Sequence, residues 1–201
     1  ELIYDKFPSL MWVLSITMSS DGTSNACLEN YSPLSTLVLF SNLVMSKFIM
    51  EGVGSGFFAM LAYLIVSVLL RGLITGSNNN FFGKKITINE INYVIIIFLI
   101  MPVGVLLFSG ITFSIPEVKE IITYHGSQAI TDVAYNFVSC FTNNGSNFSG
   151  LNTSNEYFNY MTALAMFIGR YPIIYYSLAI SGSFACKLPI ILETKINLVL
   201  N

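Results

Sequence analysis

INYVIIIFLIMPVGVLLFSGITF, residues 91–113, decides the class of this protein: the run holds no charged side chain. About twenty such residues are what one helix needs to cross the hydrocarbon of a bilayer. The rest of the chain agrees. Of its 201 residues 54% are apolar and only 10% charged, against roughly a quarter charged in an ordinary soluble domain. The sequence therefore predicts an all-α integral membrane protein whose surroundings are a lipid bilayer. A net charge of −2 excludes a strongly basic nucleic-acid binder. Cys27, Cys140 and Cys186 are far apart and lack CxxC spacing, so they read as small buried hydrophobes rather than as a disulfide frame or metal site. The opening ELIYDK lacks Met and a basic leader region, which reads as a fragment without a visible signal peptide.

Residues 33–70 are apolar but too long for one crossing, and Gly52-Val53-Gly54-Ser55-Gly56 interrupts them. Three glycines in five residues break a helix, and irregular backbone at membrane depth survives only where protein or a watery cavity covers it. The expectation is one span in two halves. A third span is expected over 158–187, interrupted around Gly169-Arg170-Tyr171-Pro172. Two shorter apolar stretches, 7–18 and 129–142, have the length of re-entrant half-helices. Each runs into a polar tetrad, Ser20-Asp21-Gly22-Thr23 in one case and Asn143-Asn144-Gly145-Ser146 in the other. Each tetrad is followed by a polar loop and a long span. The same unit, half-helix, [DN]-G-[ST] loop and span, thus occurs twice, as in parallel-repeat transport proteins.

The charges orient this pattern. Arg71, Lys84 and Lys85 lie between the first two spans against Glu90, and Lys187 and Lys195 follow the last. Glu1, Asp5, Asp21, Glu29, Glu117, Glu120, Asp132 and Glu156 fall on the other side, with only Lys6 and Lys119. By the positive-inside rule the lysine loops are cytoplasmic and both tetrads face outward.

The segment FTNNGSNFSGLNTSN, 141–155, carries three N-x-S/T triplets. A hairpin turn on Asn-Gly would need alternating strands beside it, which the flanks lack. Glycosylation would need a secreted eukaryotic setting. A plain polar outer loop is the main competitor. An Asn-Gly-Ser turn at the end of a half-helix, however, leaves carbonyl oxygens without helical partners, and rings of such oxygens replace the hydration shell of a monovalent cation. Four loops are needed to ring an axis, and this chain supplies two.

The residues now carry a resemblance. NNGSNFSGLNTSNEYFN followed by MFIGRYPIIYYSLAISGS is similar to the fourth filter and following helix of the potassium-binding A subunit of the bacterial Kdp potassium-transporting ATPase. SSDGTSNACLENYSPLSTL resembles that family's third filter, IMEGVGSG its glycine-rich break, FFGKKITINE its cytoplasmic loop, and Trp12 its pore-helix tryptophan. The match runs in order along nearly the whole chain.

The resemblance implies two membrane–pore–membrane repeats, half of a four-repeat potassium-transporter fold, with residues 1–90 as the third repeat and 91–201 as the fourth. It implies potassium binding at Ser20, Asp21, Gly22 and Thr23 and at Asn143, Asn144, Gly145 and Ser146, mostly through backbone carbonyls. Gly52, Val53, Gly54, Ser55 and Gly56 would form a gating loop below the filter, and Arg170 a functional charge inside the membrane. Potassium is the ion implied, with no covalently bound cofactor. The implied partners are an ATP-hydrolysing B subunit, accessory C and F subunits and an N-terminal half of the A subunit, all in the bacterial plasma (inner) membrane. The sequence has no DKTG-like phosphorylation motif and no P-loop, so ATP hydrolysis would be the partner's.

Departures from the family stand beside this. Asp21 replaces the usual Asn, Ser77 the usual Arg, and Lys47 and Glu51 form an unusual i, i+4 pair. His125 reads as a loop residue. The rival expectations are a truncated remnant without ion activity and a stand-alone homodimeric cation channel.

Overall fold

The structure, a computed structural model, describes residues 6–19, 21–25, 27–28, 31–49, 55–76, 80–116, 127–148, 151 and 155–189. Six helices and one small hairpin make up these residues: α1 (Lys6–Met18), α2 (Pro33–Ile49), α3 (Ser55–Thr75), β1 (Asn80–Phe81), β2 (Lys84–Lys85), α4 (Ile88–Ser114), α5 (Ser127–Thr142) and α6 (Glu156–Cys186). Gly56–Thr75, Ile88–Ser114 and Glu156–Cys186 are each long and apolar enough to cross a membrane. Twenty residues of helix rise about 30 Å, the thickness of the hydrocarbon core.

The long helices show why they pair. In α4 the buried positions are Glu90, Val94, Ile97, Met101, Gly104, Phe108 and Thr112, a stripe repeating every three or four residues. Helix α6 buries Phe158, Ala165, Gly169, Ile173, Ser177 and Ile180 in the same rhythm. Small residues on these stripes let the backbones approach, as membrane helix contacts require. The other faces expose Leu99, Leu106, Leu107, Phe167 and Leu178, as expected of surfaces that meet lipid. The helices run antiparallel: Thr112 hydrogen-bonds Tyr157 at 3.1 Å, and at the other end Lys187 pairs with Glu90 at 2.5 Å. Helix α5 lies against both, α1 packs on α2, and α2 contacts α3 and α5.

Helix α5 stops part-way along its neighbours. Phe141, one residue from its end, meets Gly104 and Gly169 near the middle of α4 and α6, where a Cβ on either glycine would overlap it. This explains one departure from expectation. The GRYP segment does not interrupt the third span; α6 continues through Gly169 and Pro172. Gly169 is there because the backbone of α5 comes too close for a side chain, and membrane helices tolerate the missing N–H of a proline.

Residues 33–70 form two helices on either side of the glycine segment: α2 ends at Ile49, and α3 runs from Ser55 to Thr75, its stretch from Gly56 long and apolar enough to cross by itself. Ser55 and Gly56 belong to the first turn of α3 rather than to a loop, while Gly52, Val53 and Gly54 lie outside the described residues. Cys140 is buried, but Cys27 and Cys186 are exposed, because they sit at the outer edge of a loop and on the last turn of α6. Finally, residues 80–85 form a hairpin, with Phe82 (φ 47°) and Gly83 (φ 71°) at its turn. Two successive left-handed residues give the turn whose twist suits paired strands.

A cluster of polar contacts ties this hairpin to both spans. Glu90 is fully buried at the start of α4; its Oε2 accepts from the Thr87 N–H at 2.5 Å and hydroxyl at 2.7 Å, and its Oε1 from Ser183 and Lys187. Lys187 also donates to the Lys85 carbonyl at 2.9 Å, and Lys84 to the Phe184 carbonyl at 2.5 Å. A buried carboxylate persists only when paired and hydrogen-bonded, and this one is both.

Candidate functional site

Both tetrads follow the C-terminal ends of the short helices, and the backbone leaves the two helices in the same way. The Asp21 N–H bonds the Ile16 carbonyl at 3.0 Å, and the Asn144 N–H bonds the Ser139 carbonyl at 2.9 Å. Each is a bond from the second tetrad residue to a carbonyl five positions earlier, the wide closure of a Schellman ending. In the second loop the inner bond is present as well, from Asn143 N–H to the Cys140 carbonyl at 3.0 Å, with Asn143 left-handed at φ 56°. Asn tolerates that conformation better than most residues, which accounts for the first Asn of NNGS. Ser20, its counterpart, lies outside the described residues.

The two loops touch. The Asn144 side-chain amide donates to the Asp21 carbonyl at 2.9 Å. A Cβ on Gly22 would overlap the Asn144 carbonyl oxygen and come within 2.9 Å of its carbon. The middle glycines are therefore needed for different reasons: Gly22 for closeness to the neighbouring loop, and Gly145 for its φ of 78°, with nothing near it.

Behind the second loop lies a buried set of hydroxyls. Tyr135 Oη and Ser146 Oγ are 3.1 Å apart, Ser139 Oγ and Ser146 Oγ 3.4 Å, and the Ser139 hydroxyl donates to Asn144 Oδ1 at 3.4 Å. The Tyr135 ring packs edge-on against Phe148, centroids 4.7 Å apart. The first loop is more open: Asp21 and Thr23 are exposed, and Asp21 Oδ1 accepts from the Gly22 N–H at 3.0 Å. Asn25 reaches the buried Ser9 at 3.2 Å.

Of the expected site residues, Asp21, Gly22, Thr23, Asn143, Asn144, Gly145 and Ser146 all lie in these abutting loops. Arg170 is on the exposed side of α6, next to the Gly169 contact and apart from the loops' mutual contact. The side chains of Lys47 and Glu51, like Ser77 and His125, lie outside the described residues. Tyr135 and Ser139 were missed by sequence reading. Their signal was present, since they fall i and i+4 on one face of a half-helix and point their hydroxyls toward its end. Among the described residues no three His, Cys, Asp or Glu side chains gather as a metal site.

Chemically the arrangement favours a cation. The negative ends of two helix dipoles converge on the tetrads, and loop carbonyls there have left helical bonding. The exposed carboxylate of Asp21 adds a further negative group.

Residues 2–196 match the family described as the potassium-transporting ATPase A subunit. The chain is 35% identical over 179 residues to the potassium-transporting ATPase potassium-binding subunit of Pseudomonas aeruginosa, covering 89% of this chain and 32% of that protein. The counterpart from Pseudomonas putida gives the same figures. One from Francisella tularensis subsp. holarctica is 34% identical over 181 residues, 90% of this chain and 32% of the relative. The chain thus spans about a third of the length of these relatives. Helices, tetrads and the ordered match along almost every residue place the chain in the potassium-transporting ATPase A-subunit family.

Proposed function

We propose that this chain provides two adjoining loops of a potassium filter in a membrane subunit that passes the ion to an ATP-hydrolysing partner. The observation that carries the reading is the meeting of two [DN]-G-[ST] loops at the ends of two half-helices, with Asn144 bonded to the Asp21 carbonyl. Carbonyls of Asp21, Gly22 and Thr23 and of Asn143, Asn144, Gly145 and Ser146 replace water around the ion, with Ser20 completing the first set. The two helix C-termini, and outside them the Asp21 carboxylate, raise the local concentration of cations.

On this reading residues 1–90 and 91–201 are the third and fourth of four pore repeats. A further polypeptide stretch, the N-terminal half, supplies the other two filter loops. The passage below is gated at Gly52–Gly56, and Arg170 acts as a fixed charge within the membrane. The subunit itself is non-catalytic; ATP is hydrolysed on the B subunit, with C and F subunits in the same complex. The tetrads face outward from the bacterial inner membrane and the lysine loops inward.

The test is potassium uptake in a transport-deficient bacterial strain that also makes the ATPase partner. The chain is expressed with and without a supplied N-terminal half, alongside Gly145→Ala. Uptake only with the added half, and its loss on placing Ala where φ is 78°, supports the reading. Uptake without the half would point to a homodimer, and none in any combination, despite membrane insertion, to a remnant without ion activity.

A further inference from the structure

We infer that Asn144 is a positioning residue that sets the separation of the two loops, and through it the ion preference of the site; this rests on the filter reading. Its side chain has one possible orientation. The Ser146 N–H donates to Oδ1 at 2.9 Å, and the Ser139 hydroxyl to the same atom at 3.4 Å. Two donors converge on Oδ1, so the other terminus must be the amide nitrogen. That nitrogen donates across to the Asp21 carbonyl at 2.9 Å, linking residues 123 positions apart in the chain.

The anchor on the Asn144 side is rigid. Ser139 and Tyr135 are buried, and their hydroxyls flank Ser146, which is itself buried. The backbone of Asn144 is held separately by the Ser139 carbonyl. On the far side Gly22 lies so close to the Asn144 carbonyl that it has no room for a side chain. The neighbouring Asn143 plays no such part: its Nδ2 is buried without a partner among the described residues.

A carbonyl has two lone pairs. The bridge occupies one on Asp21 and fixes the direction of the other. A carbonyl held in this way cannot close inward around a smaller ion, so the side chain of one loop decides how the other loop discriminates. Asn144→Asp tests this sharply, because it replaces the donor with a second acceptor facing the Asp21 carbonyl while keeping the shape.

Two measurements separate the claims. Hydrogen exchange followed by mass spectrometry on the purified chain in detergent reads the bridge. Asn144→Asp and Asn144→Ala should speed exchange in residues 19–25 as well as in 139–148. Faster exchange confined to 139–148 would overturn the bridge. In the uptake strain, with the N-terminal half supplied, Asn144→Asp should weaken half-saturation by potassium about tenfold, the worth of one good hydrogen bond. Inhibition by sodium should increase in parallel.

If exchange rises in residues 19–25 but half-saturation and sodium inhibition do not move, the specificity role is overturned. If Gly145→Ala also leaves uptake unchanged, the filter reading itself fails. Loss of uptake by Gly145→Ala with an unaffected Asn144→Asp would leave the filter standing and remove the positioning residue.

Discussion

Placing a methyl group on Gly169 should loosen the whole second unit. A Cβ there falls on the Phe141 carbonyl oxygen and lies 2.8 Å from its Cα and 2.9 Å from its carbonyl carbon. Ordinary carbon contacts are about 3.5–4.0 Å, so α6 must retreat on the order of 1 Å from α5. Backbone cannot rotate away as a side chain would. Overpacking of this kind costs about 1–3 kcal/mol, and the better helix propensity of Ala returns at most about 1 kcal/mol. Against a helix Gly→Ala change without a clash, where the propensity gain cancels, the expected loss for Gly169→Ala is about 1–3 kcal/mol.

Gly104→Ala meets the same residue from α4 but touches its ring, with Cε1 at 2.6 Å and Cε2 at 3.0 Å. A smaller side chain at 141 relieves that clash and not the other. SDS titration in mild detergent, followed by circular dichroism, reads the stabilities. Gly104→Ala with Phe141→Leu should cost less than the sum of the single changes, while Gly169→Ala with Phe141→Leu should be additive. Gly110→Ala and Gly182→Ala, with nothing within 4 Å among the described residues, gain the propensity without the clash and are the controls. A Gly169→Ala protein as stable as these controls, or one rescued by Phe141→Leu, would refute the close backbone contact.

Removing Lys187 alone should be more damaging than removing it with its partner. Lys187→Met leaves the fully buried Glu90 carboxylate without its counter-charge and should cost about 3 kcal/mol, whereas adding Glu90→Gln should recover much of that; equal losses in the same titration would argue against the pairing. Cysteine labelling tests orientation: a membrane-impermeant maleimide should reach Cys27 from outside intact cells and Cys186 only in inverted vesicles, while Cys140 stays protected until denaturation. Labelling of both exposed thiols from one side would contradict the positive-inside assignment.

Much of the fold was legible because apolar length is a direct statement about bilayer thickness. Residues 91–113 lie wholly within α4, and the stretches 7–18 and 129–142 lie within helices too short to span. Glycine was where the reading failed, because one letter serves several physical purposes. At Gly169 the sequence points to a helix break, yet the glycine is a point of contact, and nothing local distinguishes the two. The hairpin at 80–85 was missed because Phe82, not Asn or Gly, holds its first left-handed position. In the candidate site the tetrads were legible as repeats, but their mutual contact was not. It joins Asp21 to Asn144, and no single-chain pattern encodes a hydrogen bond across that separation.

Glu90 and Lys187 also impose an order in time. They are 97 residues apart, and ribosomes add roughly 5–20 residues per second. The acid that begins α4 is therefore made about 5–20 s before the base that neutralises it. During that interval Glu90 has Thr87 but neither Ser183 nor Lys187 to bond, so its carboxylate keeps the water that the finished fold excludes. Lys187, the residue after the end of α6, completes the set. The pairing of α4 with α6 is in this sense completed from its end backward, and a nascent chain halted before Lys187 would hold both helices without the counter-charge of Glu90.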